Sequence, residues 1–414
     1  MTVMSADSGV LPRRSFQEVW VVSIGHALTH WYPATFYLLL PLIGSELGLS
    51  YAQIGSILTC QYAAGAIANI PGGIFVDTVG RKGLLMAVSL FWVGFPYLVM
   101  GFSHVYWVML ACATAVGIGN NLWHPTAIPW LAGRFPDRKG LVMSFHSMGG
   151  NVGDALAPLV VGALLAILSW RDVVLVNVLP GIAMAALILI YIGRLQNRES
   201  AANAAKRPEP ISGAERMRSF MSLLTNRALV TLSIGSVFRT MTQMALLTFL
   251  PIYLARDMGY SPFWVGAAMF ALQIAGFIAA PIAGHLSDTI GRRQIIVSSM
   301  SMTAVILLSM IFAGGTIWFV VLVAVLGFFL FAVRAVLQAW LLDATPPGLG
   351  GSAIGLLFGA QAAGAAAGPI AAGLLADRFG IMSAFYFLAA TIVVANLMIF
   401  ITPTPDAKNA PKSA

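Results

Sequence analysis

Gly73-Ile-Phe-Val-Asp77-Thr-Val-Gly80-Arg81-Lys82 is the stretch that decides the fold, because it returns as Gly284-His-Leu-Ser-Asp288-Thr-Ile-Gly291-Arg292-Arg293. Asp288 follows Asp77 by 211 residues, about half of the 414-residue chain. Each copy lies between two long apolar segments, so each is a short basic connection between two membrane helices. A duplicated segment is the simplest explanation, and it predicts a chain built from two related halves.

The composition indicates a membrane protein. Hydrophobic residues make up 59% of the chain and charged residues 9%, whereas a soluble domain carries about 25% charged residues. Too little polar surface remains to face water, so lipid must cover most of the chain. The net charge of +8 lies mainly in the loops, which is typical of a topology signal and gives no reason to expect nucleic-acid binding. Cys60 and Cys112 lie within apolar segments, which disfavours a disulfide framework or a metal site.

The apolar segments predict an all-α integral membrane protein with twelve transmembrane helices in two pseudo-symmetric bundles of six. The predicted helices span about 18–43, 52–76, 82–101, 105–132, 140–168, 173–193, 228–255, 262–287, 293–313, 316–342, 350–376 and 382–402. The predicted divisions are an N-terminal tail (1–17), an N-terminal bundle (18–193), a polar linker (194–227), a C-terminal bundle (228–402) and a C-terminal tail (403–414).

The lysines and arginines set the predicted orientation. Most of them fall in the two tails, the linker and the connections on the same side, whereas the opposite loops hold Arg171, Arg256 and Arg378. Positive residues are retained in the cytoplasm. Both termini, the linker and both copies of the basic stretch are therefore expected on the cytoplasmic side of a bacterial inner membrane. The first helix is expected to act as an uncleaved insertion signal, because no apolar core precedes it.

The repeat extends beyond the basic stretch at the same separation. Gly55 corresponds to Gly266 and Pro158 to Pro369. The further matches are Gly65 with Gly276, Trp107 with Trp318, Gly140 with Gly351, Gly153 with Gly364, and Gly162 with Gly373. Glycine and proline would not recur in one register without a shared backbone requirement. Two halves of like orientation, related by an axis along the membrane normal, are therefore predicted, with small residues forming the surfaces on which the halves rock.

Both copies of the basic stretch resemble the signature loop of the major facilitator superfamily, Gly-x-x-x-Asp-x-x-Gly-Arg-Lys/Arg. That resemblance implies the two-bundle fold and alternating access. Gly25-His26, Trp123-His124-Pro125 and Gly149-Gly150-Asn151-Val-Gly153 are similar to the fosmidomycin-resistance type of exporter within that superfamily. His30 departs from the acidic or amide residue expected there, and the arginine of drug–proton antiporters is absent near Ala113.

The two loops are predicted to act as a conformational latch. An acid and neighbouring bases at a helix junction can form a bridge in one state and break it in the other. We expect Asp77 and Asp288 to hold the outward-facing state. The glycines of the loops allow tight turns and the bases hold the cytoplasmic side; these are Gly80, Arg81, Lys82, Gly291, Arg292 and Arg293. The alternative is that each loop is a simple basic turn closed by a helix-ending acid.

Arg239 and Arg334 are the basic residues that lie clearly within predicted membrane helices. Charges there are costly and usually functional. Arg239 lies about 16 Å into its helix at 1.5 Å per residue, near the midplane where such transporters bind substrate. Two guanidiniums with Gln243, one turn from Arg239, would suit a carboxylate or phosphonate. The alternative is that each arginine pairs with an acid or caps carbonyls.

Protonatable groups occupy the N-terminal half instead. His26 and His30 share one face of helix 1, His124 lies on helix 4, and Asp154 is the acid deepest within a predicted helix. Histidine titrates near physiological pH, and a buried carboxylate can be shifted towards it. Asp154 with His26 or His30 is therefore the predicted proton site, and all three histidines are candidate substrate contacts. A buried histidine that only joins helices is the alternative.

These observations predict a proton-coupled secondary transporter for a small, anionic organic molecule or drug, with export favoured by the resemblance. Uptake by proton symport is the alternative, followed by a transport-inactive receptor or scaffold. No nucleophile motif, metal-ligand spacing or phosphate-binding loop is present in the sequence, so neither an enzyme nor an ATP-driven pump is expected. The expected partners are the bilayer, the substrate and protons; no cofactor is expected, and the chain is expected to be a monomer.

Overall fold

A computed structural model describes residues 15–79, 81–120, 122–202, 221–313, 316–346 and 349–403. Long α-helices account for nearly all of these residues, and no strand occurs among them. The helices are α1 (Gln17–Glu46), α2 (Tyr51–Val79), α3 (Lys82–Phe102), α4 (Tyr106–Asn120), α5 (Trp123–Arg134), α6 (Lys139–Leu164), α7 (Trp170–Ala202), α8 (Arg227–Ile252), α9 (Pro262–Ile290), α10 (Arg292–Ala313), α11 (Ile317–Asp343), α12 (Gly350–Phe379) and α13 (Met382–Phe400). The all-α membrane class is confirmed.

Eight helical segments in the described part of the chain, α3 and α7–α13, are long and apolar enough to cross a membrane. The helices outside this group include α1 and α6, which carry buried histidines. Polar side chains lower the hydropathy of a helix that lines an interior, although its length still suffices to span the bilayer.

Two predicted boundaries differ from the structure. The predicted helix 105–132 is two helices, because α4 ends at Asn120 and α5 begins at Trp123. Pro125 follows the break and has no amide hydrogen to continue the helical ladder. Helix α7 continues to Ala202, so the first residues of the predicted linker are helical. Residues 1–14, 203–220 and 404–414 of the predicted tails and linker lie outside the described residues.

The same set of helix contacts occurs twice. In the N-terminal half α1 lies against α6, α2 against α4, and α3 against α7; in the C-terminal half α8 lies against α12, α9 against α11, and α10 against α13. The halves meet where α2 contacts α12 and where α6 contacts α9. Helix α2 corresponds to α9 and α6 to α12, so the two interfaces are equivalent. Such equivalence is expected for a duplicated bundle.

The interfaces between the halves are closed at the end where α1 finishes and α2 starts, which we call the sealed end. A Cβ added at Gly55 would overlap the carbonyl oxygen of Pro369, and one added at Gly266 would overlap that of Pro158. Gly266 and Pro369 are the positions that follow Gly55 and Pro158 by 211 residues. The two contacts therefore join equivalent positions, with the halves exchanged. Thr59 adds a hydrogen bond to the carbonyl of Ala366 at 2.6 Å. Glycine allows the backbones to approach this closely.

A carboxylate from one half caps a helix of the other at the sealed end. Asp377, near the end of α12, accepts hydrogen bonds from the backbone amides of Tyr51 at 2.7 Å and Ala52 at 2.9 Å. These amides open α2 and have no partner within their own helix. The carboxylate also lies at the positive end of the α2 dipole. The contact therefore stabilises the closed arrangement of this end.

Replacing Asp377 with alanine should loosen the sealed end. A capping side chain contributes about 1 kcal/mol, so we expect the ratio of open to closed populations to rise about fivefold. Spin labels at His104 and Ser261, placed after Cys60 and Cys112 are changed to serine, would report this as a longer-distance population in pulsed electron spin resonance.

Asp172→Ala is the matched control for Asp377→Ala, because Asp172 is an exposed acid at the same end that bonds Ser169 within its own half. Equal distance distributions in wild type and Asp377→Ala would show that the cap does not hold the halves together.

A buried ion pair, which the sequence did not suggest, joins α1 to α5. Glu18 is fully buried and accepts hydrogen bonds from Arg134 at 2.6 and 3.1 Å. Arg134 lies in one of the basic connections that predict the orientation of the chain. Because a buried charge needs a partner, the pair fixes the second segment of the broken helix against α1.

Candidate functional site

We infer a cavity between the halves that opens at the end opposite the sealed end, which we call the open end. His124 in the first turn of α5, Asn151 in the middle of α6 and Arg334 within α11 are all exposed. Their exposure indicates a water-filled space between the halves. The predicted substrate and proton residues are distributed around it.

Histidines from three helices form a connected cluster on the N-terminal side of the cavity. His26 Nδ1 lies 2.6 Å from the backbone oxygen of His146, and His26 Nε2 lies 3.1 Å from His124 Nε2. A carbonyl oxygen only accepts, so Nδ1 of His26 carries its proton. Neutral His26 then has a bare Nε2, and His124 Nε2–H donates to it. The cluster therefore has a defined order of donors and acceptors.

The imidazole ring of His146 completes this cluster and forms no hydrogen bond of its own. Its ring stacks on that of His26, with centroids 3.9 Å apart and planes inclined by 11°. Both ring nitrogens of His146 are buried and lack a hydrogen bond. The ring nitrogens of His26, His124 and His146 lie within 4.8 Å of one another, a spacing that would also suit a metal ion. Nearly parallel rings, however, direct their in-plane lone pairs side by side and not towards one ion.

Asp154 pairs with His30 and not with His26. Asp154 Oδ2 lies 2.9 Å from His30 Nδ1, and the two side chains are 31% and 27% exposed. The pair is therefore partly accessible and joins α1 to α6. Gly150 makes room for this arrangement, because a Cβ there would lie 2.8 Å from His26 Cε1 and 3.1 Å from the His30 ring.

Two tyrosines lie beside the acid. The hydroxyls of Tyr37 and Tyr62 are hydrogen-bonded to each other, and both interact electrostatically with Asp154. Tyr37 also points its hydroxyl at the sulfur of Met244 in the other half, 3.8 Å away. Both tyrosines lie on helices that meet at the sealed end, so we interpret them as covering Asp154 on that side. Sequence analysis did not predict this pair, because its members lie on different helices.

Arg239 is a buried cation on the opposite side of the cavity. Its residue is 2% exposed, its Nη2 donates to Gln243 Oε1 at 2.7 Å, and its Nε has no partner. No carboxylate forms an ion pair with it among the described residues. A buried guanidinium without an acid retains unused donors.

Arg334 borders the same space as Arg239. Arg334 interacts electrostatically with Arg239 on its own side and with His124 on the other. The predicted arginines are therefore close to each other, and one face of the cavity is positive. Buried amide atoms of Gln61 and Gln361 also lack partners, and they come from the helices α2 and α12 that join the halves.

The two basic loops lie at the open end. In the second copy Arg292 binds Asp288 at 2.5 Å and Asp343 at 3.2 Å, and Gly291 adopts the left-handed φ of +113°. Arg293 donates to the carbonyl of Phe400. All these contacts stay within the C-terminal half.

The first copy is described only in part. Gly80 and the side chain of Asp77 lie outside the described residues, so the predicted role of Asp77 stays a prediction. Arg81 is exposed and Lys82 begins α3. No contact of Arg81 or Lys82 with the C-terminal half is found among the described residues.

The Major Facilitator Superfamily model matches residues 22–276 and 232–414. The chain is similar to the phosphoglycerate transporter protein of Salmonella typhimurium, with 24% identity across 94% of this chain and 89% of that protein. It is similar to the fosmidomycin resistance protein of Escherichia coli, with 25% identity across 96% of this chain and 95% of that protein.

Among solved structures, the chain resembles a bacterial homologue of the human lysosomal transporter Spinster in an inward-facing and occupied conformation. The TM-score is 0.78 and the identity 16%, over 94% of this chain and 97% of that one. At this identity the likeness concerns the fold alone.

Proposed function

The chain belongs to the Major Facilitator Superfamily, and from that premise we propose that it is a proton-coupled secondary transporter that exports a small, anionic organic molecule. Transport of small organic molecules, and not catalysis, follows from the family and the related transporters. The negative charge of the substrate, the coupling to protons and the direction of transport are the parts that we propose. The observation that carries it is the buried guanidinium of Arg239, which has an unpartnered Nε and forms no ion pair with an acid in the described part of the chain.

An anionic substrate would supply a negatively charged partner for the Arg239 guanidinium. Removing a guanidinium from water is costly unless an anion compensates it, and a phosphate or carboxylate accepts two parallel N–H bonds from the fork. Arg334 would add a second cation from the exposed wall, while Gln243 holds the Arg239 fork in place. His30 and His124 would add contacts from the other half, whereas the predicted contact at His26 would require one of its two hydrogen bonds to break. Phosphoglycerate, which names one relative, is an anion of this kind.

Asp154 and His30 are proposed to carry the proton, with His26 next in the chain of imidazoles. The pair is open to the cavity at one end and covered by Tyr37 and Tyr62 towards the sealed end. Protonation changes the net charge of the cavity and so biases the balance between states that open to opposite sides. The proton and the substrate would occupy different halves, which allows either to leave while the other half is engaged.

Uptake by proton symport is the second candidate, and one observation favours it. Protonating the Asp154–His30 pair adds positive charge to the half that lies across the cavity from Arg239 and Arg334, and so favours the binding of an anion. Proton and anion would then bind together and move in the same direction. Export by exchange is proposed first because of the relative named for fosmidomycin resistance.

The sealed end is proposed to face the outside of the inner membrane, with both termini in the cytoplasm, which makes this arrangement inward-facing. The basic residues at the open end support this orientation. The two bundles are proposed to span 18–193 and 228–402 and to rock about the sealed interfaces as a monomer. Asp77 and Asp288, with their neighbouring bases, are proposed to latch the opposite, outward-facing state.

Flux measurements on purified protein in liposomes test the proposal. Organic acids, phosphonates and phosphate esters would be loaded inside or outside, with an imposed pH gradient and a pH-sensitive dye within. We expect an anion to move and the gradient to change its rate and direction. Flux that ignores the gradient would remove the proton coupling, and transport confined to neutral or cationic molecules would remove the anion site. Accumulation with an acidic exterior would select uptake over export.

A further inference from the structure

A groove on the outer surface of the N-terminal half lies at the open end, between the start of α3 and the last turns of α7. Its volume is about 350 Å³, and its rim carries Arg81 and Arg194. The apolar side chains of Leu84, Leu189 and Ile190 form its wall, and Gly193 and Gln196 also line it. The groove is separate from the cavity between the halves, since α7 packs on the outside of its own bundle against α3.

The two arginines on the rim are free to bind a ligand. Both side chains are exposed, and neither forms a hydrogen bond or ion pair with another described residue. Two unpaired guanidiniums on one groove attract a phosphate group, which accepts bonds from both forks.

The wall of the groove is apolar and exposed. Leu189 is 45% exposed and Ile190 is 52% exposed, so both face outwards on a helix that is apolar enough to cross the membrane. Arg194 follows them by about one turn, at the point where the apolar stretch of α7 ends. The groove therefore presents cations at one level and aliphatic surface immediately below it, which matches an amphiphile with an anionic head.

Two glycines create the space. A Cβ at Gly83 would lie 2.8 Å from the backbone nitrogen of Gly193, so the two helices touch there. Gly83 N–H also donates to Gln196 Oε1 at 3.2 Å, which holds the start of α3 against α7. Nothing lies within 4 Å of the Cβ position of Gly193. A side chain at Gly193 would fill the groove without disturbing the helix contact.

We propose that this groove binds the head group of an anionic phospholipid, with Arg81 and Arg194 on the phosphate and Leu189 and Ile190 on the acyl chains. The position of the groove at the end of a membrane helix selects a lipid over a soluble phosphate, because a soluble anion would leave the aliphatic wall uncovered. Arg81 then has a ligand within its own half, in addition to its proposed place in the latch. The site does not depend on the identity of the transported molecule.

Native mass spectrometry of the purified full-length protein, titrated with lipid, tests the proposal. We expect phosphatidylglycerol to bind more tightly than phosphatidylcholine, and glycerol 3-phosphate not to compete at equal concentration. Arg194→Gln should weaken phosphatidylglycerol binding about fivefold, as expected for one cation near a membrane surface. Arg194→Lys should retain most of the binding, because it keeps the charge.

Two further variants make the result decisive. Gly193→Leu should abolish the preference for phosphatidylglycerol by filling the groove, with both arginines still present. Arg138→Gln is the matched control, because Arg138 is an exposed arginine at the same end but outside the groove, and its variant should bind as wild type does. Wild-type phosphatidylglycerol binding in both Arg194→Gln and Gly193→Leu would overturn the proposal. So would equal affinity for the two lipids, or competition by glycerol 3-phosphate.

Discussion

Arg239→Ala should reduce substrate flux about 100-fold in liposomes, even at saturating pH gradient. Hydrogen bonds to a charged group contribute about 1.5–3 kcal/mol, and each 1.4 kcal/mol corresponds to a factor of ten. The guanidinium has no acid beside it among the described residues, so its loss leaves no buried carboxylate unpaired. We therefore expect the variant to fold, and the loss to appear in transport and in substrate binding.

Three comparisons separate an anion site from a structural arginine. Arg239→Lys keeps the charge but loses the planar fork, so it should fall between wild type and alanine. Gln243→Ala frees the fork and should raise the apparent KM without changing the maximal rate greatly. Arg378→Ala, at an exposed arginine of the sealed end, is the matched control and should transport normally. Wild-type flux in Arg239→Ala would contradict the anion site, and a lowered melting temperature with normal flux would assign Arg239 to helix contacts.

Asp154→Asn should uncouple transport from the proton gradient. A gradient of about two pH units can sustain about 100-fold accumulation for one proton per substrate, because each unit equals 1.36 kcal/mol. Asparagine is close in size and can still bond His30, but it cannot take up a proton. We expect the substrate concentration inside the liposomes to rise no higher than the concentration outside, while exchange of labelled for unlabelled substrate continues.

The two assays on Asp154→Asn distinguish coupling from binding. Loss of exchange together with accumulation would place Asp154 in substrate binding or folding instead, and Asp154→Glu should then be examined for rescue. Asp172→Asn, which changes an exposed acid at the sealed end, should leave both assays unchanged. Proton-driven accumulation that survives in Asp154→Asn would remove the Asp154–His30 pair from the coupling step.

The fold was predictable because its determinants repeat. Two copies of one basic stretch located the halves, and the 211-residue register already paired Gly55 with Gly266 and Pro158 with Pro369. The sequence did not show that Gly55 contacts Pro369, or Gly266 Pro158. Such contacts join different halves. A repeat shows which positions correspond to each other, but it does not show which positions are in contact. The break between α4 and α5 was missed because an apolar window continues across it.

The site residues were predictable by type, but their pairing was not. Buried arginines and a deep acid stand out in an apolar chain, so Arg239 and Asp154 were found. The choice of His30 over His26 as the partner of Asp154 depends on the rotation of α1 against α6. Glu18 was not predicted to be a buried charge because it lies at the start of the first predicted helix. The structure buries it completely. Asp377 resembled an ordinary loop acid until its helix was placed beside α2.

The contacts at Gly55 and Gly266 have a thermodynamic consequence. At both glycines, backbone of one half lies directly against backbone of the other. Separating such surfaces exposes little hydrocarbon, so it changes the heat capacity only slightly. We therefore expect the balance between the two orientations of the halves to drift gently with temperature, with an almost straight van't Hoff plot. A hinge built on interlocked leucines would instead give a strongly curved one.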